Sequence, residues 1–170
     1  MIDFVRIPEE RMRLLKADPR IQKKLKDMCD CDFRFLDDVE IESEDPLKIF
    51  RVKEVVKAFG RGFYIDDALA LLDESFYLEI IEIGTKSKDR ITVLKGRVIG
   101  REGGTKKIIE KISGAKLSIY GKTISIIGRW DEVQIAKEAI DLILSGSKHS
   151  TVYRFLKEKY VGGEIEKGIE

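Results

Sequence analysis

The sequence predicts an α+β protein in which one arrangement, β-α-α-β-β-α, is built twice in tandem and followed by a helical tail. Three observations carry this. Residues 116–120 and 123–127 alternate apolar and polar side chains about Gly121-Lys122, the signature of a two-residue hairpin. Directly afterwards, Val133, Ile135, Ala136, Ala139, Ile140 and Ile143 recur at helical spacing. Both patterns also occur 84 residues earlier, where Phe33 and Phe35 align with Leu117 and Ile119, and Val52, Val55, Val56 and Phe59 with Ala136, Ala139, Ile140 and Ile143. An internal duplication accounts for the common offset. The expected domains are 1–73, 74–146 and a partly helical tail, 147–170.

In the first copy, residues 2–7 read as a strand and 9–16 as a helix. Residues 18–28 form a second helix with Pro19 in its first turn, where the missing N–H costs nothing. Two strands, 31–35 and 39–43, flank Asp37-Asp38, and residues 46–59 are an amphipathic helix. Residues 66–72 link the copies as a short helix, with Phe63 and Tyr64 expected to pack nearby.

The second copy opens with the β-branched run 76–83, a strand. A helix over 87–98 follows, capped by Ser87, then Gly100-Arg101-Glu102-Gly103, then a helix over 105–113 that Gly114 terminates. The hairpin and a helix over 131–144 complete it. In the tail, Val152, Phe155, Leu156 and Tyr160 share one helical face, whereas the glycine- and charge-rich stretch 161–170 is expected to fray.

The glycine loop indicates the chemistry. A G-x-x-G turn has no Cβ at either end to keep a nucleic-acid backbone away, and the free N–H groups of the helix that follows favour phosphate. Between Gly84 and Lys122 eleven Lys and Arg face three acids, a local net charge of +8 in a chain whose total is +1. Residues 1–83 carry −6 and residues 123–170 carry −1, so the field that attracts polyanions is confined to one lobe. The order β-α-α-β-β-α with this loop resembles a type I KH domain, an RNA-binding module; in type II the hairpin would precede the loop. The first copy has Lys16-Ala17-Asp18-Pro19-Arg20 in place of the loop, and its hairpin region 30–45 holds eight acids and only Arg34. It reads as a degenerate copy, a buttress or protein-docking module.

The run Lys95-Gly-Arg-Val-Ile-Gly-Arg-Glu-Gly-Gly-Thr-Lys-Lys107, the segment 124–133 and the stretch 142–153 closely resemble the archaeal KH proteins of small-subunit ribosome assembly. These are the counterparts of the eukaryotic "partner of Nob-one" family, and the likeness covers roughly residues 1–160. The resemblance implies single-stranded RNA near the 3′ end of small-subunit ribosomal RNA as ligand. It implies as partners a Nob-one-type endonuclease and, in archaea, a translation initiation factor subunit.

The expected RNA-binding residues are Lys95, Arg97, Val98, Ile99, Gly100, Arg101, Glu102, Gly103, Gly104, Lys106, Lys107 and Ile119. Gly100 and Gly103 allow close backbone passage, Arg101, Lys106 and Lys107 take phosphates, and Lys95 and Arg97 line the same edge. Val98, Ile99, Ile109 and Ile119 give apolar support to bases, although Ile109 and Ile119 also fit a pure core role. Lys106 departs from generic KH domains, where an apolar residue commonly follows the loop, and turns this position toward phosphate.

Other classes fit less well. The single histidine, His149, has no catalytic set around it in sequence, so a non-catalytic protein is expected. Cys29 and Cys31 are too close for a disulfide and too few for a metal site. No metal or cofactor is expected. Without an apolar run of membrane length or a signal-peptide pattern at residues 1–8, a cytoplasmic location is expected. Two alternatives stand: a scaffold working through the acidic first copy, and an exosome-type RNA-processing KH subunit, although no segment reads as the S1-type barrel that usually accompanies the latter.

Overall fold

The computed structural model describes residues 1–161. The expected fraying of 161–170 therefore falls outside the described residues, apart from Val161, which ends the last helix. The chain forms two compact units, Met1–Leu78 and Glu79–Glu170. Each contains a three-stranded sheet with helices, in the expected order β-α-α-β-β-α.

The first unit comprises β1 (Ile2–Val5), α1 (Glu9–Ala17), α2 (Pro19–Cys29), β2 (Asp32–Phe35), β3 (Val39–Glu42) and α3 (Pro46–Gly60). A short helix, α4 (Ile65–Ala68), and a 3₁₀ turn, Leu69–Leu72, follow. The strands lie in the order β1-β3-β2, antiparallel throughout, with Val5 opposite Val39 and Phe33 opposite Ile41. Alternation turns Val39 and Ile41 inward, and Ile49, Val52 and Val56 of α3 are buried as well. The Arg11 guanidinium donates to Phe59 O (2.8 Å), in the last turn of α3, and to Phe63 O (2.9 Å) just beyond it, and stacks over the Phe59 ring. Phe63 is buried as expected, whereas Tyr64 flanks the start of α4 and stays 82% exposed. Burial pushes the Cys29 thiol up to about 12 and raises Cys31 as well, so neither is poised as a thiolate.

The second unit begins its sheet with β4 (Phe76–Glu82), which crosses the division between the units. There follow α5 (Lys88–Ile99), α6 (Gly104–Ser113), β5 (Lys116–Tyr120), β6 (Thr123–Arg129), α7 (Trp130–Leu144) and α8 (His149–Val161). The strand order β4-β6-β5 repeats that of the first sheet, and the β5–β6 register closes at Tyr120 opposite Thr123. Ser87 caps α5 by accepting from the Arg90 N–H (3.2 Å). Gly114 ends α6 at φ +83°. Trp130 opens α7 with its ring largely exposed. The apolar faces of α5, α6, α7 and α8 meet the central strand at Ile124 and Ile126, and Val152 and Leu156 of α8 are fully buried in that core. No helix of the described residues is long and apolar enough to cross a membrane.

Two glycines in helices test how tightly the core is set. A Cβ at Gly60, at the end of α3, would lie 2.6 Å from Ile7 Cγ2, while one at Gly96, inside α5, meets nothing within 4 Å. Gly60→Ala should destabilise the protein by about 1–3 kcal/mol through overpacking. Gly96→Ala should stabilise it by about 0.5–1 kcal/mol through helix propensity. Urea denaturation of the two variants would show shifts of opposite sign; a shared sign would contradict the packing described.

Candidate nucleic-acid interface

The loop between α5 and α6 is built from two glycines with different duties. Gly100 donates its N–H to Gly96 O (2.8 Å), closing α5, and then turns the chain at φ +75°. A Cβ there would sit 2.7 Å from both Thr105 N and Thr105 Cβ, so the fold itself demands glycine. Glu102 (φ +55°) and Gly103 (φ +74°) continue in left-handed conformation through a 3₁₀ turn, Arg101–Gly103. At Gly103 the nearest atom to a Cβ would be Lys107 Cε, 3.9 Å away. Gly103 thus leaves its backbone open to an approaching ligand, whereas Gly100 is filled from inside. Helix α6 starts at Gly104 with no acid in its first turn, so its positive end is uncompensated by its own side chains.

Around this loop the expected residues fall into three groups. Arg101, Glu102 and Lys107 are exposed. Ile99, Gly103, Gly104, Lys106, Lys95 and Ile119 are half-buried, and Ile119 packs against the edge of the core. Lys106 Nζ pairs with Glu110 Oε1 (3.3 Å), while Glu110 Oε2 accepts from the Leu117 N–H (3.0 Å) at the start of β5. Lys95 Nζ donates to Gly121 O (3.0 Å), bridging α5 and the hairpin turn.

Arg97 and Val98 do other work than expected. Val98 follows Ile91 and Leu94 on the core face of α5 and is completely buried, so it supports the loop from beneath and cannot touch a base. Arg97 lies beside the end of α7, where carbonyls lack helical partners. Its guanidinium donates to Ile143 O (3.0 Å) and to Ser147 O. Ile109 is likewise fully buried.

Sequence reasoning left two residues out of the site. His149 Nε2 donates to Arg97 O (2.9 Å), and the Tyr153 hydroxyl bonds the Thr105 hydroxyl (2.9 Å), the side chain that occupies the space in front of Gly100. The two rings stack with centroids 6.1 Å apart. Their i, i+4 spacing places them on one face of α8, a signal visible in the sequence; the partners 48 and 52 residues away were not. Helix α8 therefore holds the glycine loop from behind.

In the first unit the corresponding position is a single residue, Asp18, between α1 and α2. Its carboxylate accepts from the Arg20 N–H (2.9 Å) and from the Arg20 guanidinium (3.1 Å). Those bonds hold Asp18 below its usual pKa. The position therefore offers phosphate no glycine backbone, and the Arg20 charge beside it is already paired with Asp18.

Residues 77–160 match the family profile of the second KH domain of PNO1, a eukaryotic-type, type I KH domain. The chain is 36% identical over 167 residues to a KH domain-containing protein of Methanocaldococcus jannaschii, covering 93% of this chain and 74% of that one. It is 30% identical over 167 residues to the pre-rRNA-processing protein pno1 of Aspergillus fumigatus, covering 91% of this chain and 66% of the fungal protein. It is similar to crystalline Dim2p from Pyrococcus horikoshii, with 37% identity, a TM-score of 0.83, and coverage of 93% of this chain and 99% of that one. It is also similar to a chain of the a/eIF2alpha–aDim2p–rRNA complex from the same organism, with 36% identity, a TM-score of 0.85, and coverage of 94% and 93%.

Tyr153→Phe removes the hydroxyl that meets Thr105 and leaves the ring in place. It should cost about 1 kcal/mol of stability and speed amide hydrogen exchange at Gly103, Gly104 and Thr105. Unchanged exchange at these amides would show that the loop does not depend on α8.

Proposed function

The chain belongs to the Dim2/PNO1 family of KH-domain proteins, and from that premise we propose that it is a non-catalytic single-stranded RNA-binding protein of small ribosomal subunit assembly. It binds near the 3′ end of small-subunit ribosomal RNA through its second KH unit. The observation that carries this reading is the open backbone at Gly103, flanked by exposed Arg101 and Lys107 and facing the start of α6. A strand of about four nucleotides fits a KH groove of this kind. Arg101, Lys106 and Lys107 contact phosphates, Lys95 lines the edge, Gly103 and Gly104 offer backbone, and Ile99 and Ile119 support bases. Gly100 shapes the loop, and Glu102 presents its backbone beside it. Phosphate contacts set affinity and register.

Support for the target comes from relatives: one is a pre-rRNA-processing protein, and another was solved with rRNA and a/eIF2alpha. In this reading the partners are ribosomal RNA, a translation initiation factor 2 alpha subunit and a Nob-one-type endonuclease, and the protein is cytoplasmic. Absence of catalysis is consistent with the use of His149 in holding Arg97 O. The first unit serves protein docking, a role supported by Leu47 and Phe50, which are 74% and 61% exposed on α3 beside the acidic hairpin region.

A short RNA with the 3′-end sequence of small-subunit ribosomal RNA should bind more tightly than a scrambled one, over a salt series. Arg101→Gln with Lys107→Gln should reduce the log–log salt slope by about 1.4, at ~0.7 per phosphate on single strands. Gly103→Asp should weaken binding with the fold intact, since Asp tolerates the left-handed region. Gly100→Asp is unsuitable, because it would collide with Thr105. Equal, weak binding to both RNAs, indifferent to these changes, would sink the proposal.

A further inference from the structure

Helix α8 meets the chain on both sides of the glycine loop. Arg97, whose carbonyl accepts from His149 Nε2 (2.9 Å), precedes Gly100. Thr105, whose hydroxyl shares a hydrogen bond with that of Tyr153 (2.9 Å), follows Gly103. His149 and Tyr153 stand about one helical turn apart, so roughly 6 Å of rigid helix spans the two ends of the loop. Val152 and Leu156 seat the same helix in the core. Its entry is fixed as well: Gly146 N–H donates to Ile143 O (3.1 Å) and Ser147 N–H to Leu142 O (3.0 Å), a Schellman end to α7 with Gly146 at φ +97°. The Arg97 guanidinium donates to Ile143 O and Ser147 O at that corner.

Thr105 is the point at which α8 acts on the loop. Only 2% exposed, it cannot meet a ligand itself, yet it fills the space in front of Gly100. A helical threonine divides between two rotamers, because its hydroxyl can turn back to a carbonyl three or four residues earlier. For Thr105, in the first turn of α6, those carbonyls belong to Glu102 and Arg101, inside the loop. The Tyr153 hydroxyl offers the competing partner and holds the Thr105 hydroxyl toward α8. Without it, a buried hydroxyl would be left to satisfy itself at the expense of the loop.

We propose that Tyr153 is a positioning residue for RNA binding: acting through the Thr105 hydroxyl, it selects the loop shape in which the Gly103 backbone accepts a nucleic-acid strand. The proposal rests on the RNA-binding reading above. Affinity falls with the fraction of molecules whose loop is in the competent shape. By linkage, RNA at the loop strengthens the docking of α8 by the same factor that α8 strengthens RNA binding.

The test measures affinity for the short single-stranded RNA of 3′-end sequence over a salt series, with thermal melting in parallel. The proteins are the wild type, Tyr153→Phe, Thr105→Val, the double variant and Thr105→Ser. One net hydrogen bond changes the ratio of loop shapes by about fivefold, so Tyr153→Phe should bind about two- to fivefold more weakly. Its salt slope should match that of the wild type, because no phosphate contact is removed. Thr105→Val, which keeps the branched shape without the hydroxyl, should lose as much, and the double variant no more than either single change. Thr105→Ser, which keeps the hydroxyl, should restore the affinity that Thr105→Val loses. Unchanged affinity in Tyr153→Phe, whatever its melting temperature, would overturn the proposal by leaving Tyr153 a structural role alone. Additive losses in the double variant would also overturn it, because Tyr153 would then act on RNA directly. Should Thr105→Val melt early, Thr105→Ser decides: a loss as large as that of Tyr153→Phe would show that the hydroxyl is not the carrier. Failure of the wild type to bind the RNA would instead refute the RNA-binding reading, and the positioning role with it.

Discussion

The second unit depends on the absence of one methyl-sized group. Because Gly100 has no Cβ, Thr105 can press against its backbone, and the chain can turn there at φ +75°. That contact brings the first turn of α6 back over the end of α5, and the Thr105 hydroxyl passes the constraint on to Tyr153. Arg97 and His149 tie the same corner to α7 and α8. A glycine commonly read as an opening for the ligand is here closed by the protein. Only with this corner fixed can Gly103 present an open backbone in a constant place.

The same arrangement divides the cations. A segment of net charge +8 looks uniformly available to RNA when read as sequence. In three dimensions Arg97 serves two carbonyls, Lys106 is drawn to Glu110, and Lys95 braces the hairpin, while Arg101 and Lys107 face outward. Charge counting alone does not separate the cations that bridge parts of the protein from those left exposed. Low-energy phosphate binding and structural bridging use the same side chains, and only geometry separates them.

The fold was legible because its signals are local. Alternation about Gly121-Lys122, the helical repeat of α7 and the cap at Ser87 are each contained within a few residues. The duplication was visible for the same reason: β2 begins 84 residues before β5, β3 before β6, and α3 spans the same length as α7. Ahead of these elements the offset fails, since α1 is 9 residues long against 12 for α5, and one residue stands where the second unit has four. The copies diverge at the site. The burial of Val98 could have been read from its spacing after Ile91 and Leu94, but the bonds of Arg97, His149 and Tyr153 join residues about fifty positions apart, and no local pattern announces them.

Lys95 has a thermodynamic role that its charge alone does not suggest. An ordinary surface lysine samples many rotamers, and ordering one sacrifices up to about 2 kcal/mol of conformational entropy. Lys95 has already lost much of that freedom, because one of its three N–H donors is fastened to Gly121 O. Two donors remain, held beside the hairpin turn in a nearly fixed position. An anion arriving there meets a preorganised ammonium and need not disturb the existing bond, so its attraction is diminished by less ordering entropy than at a free lysine.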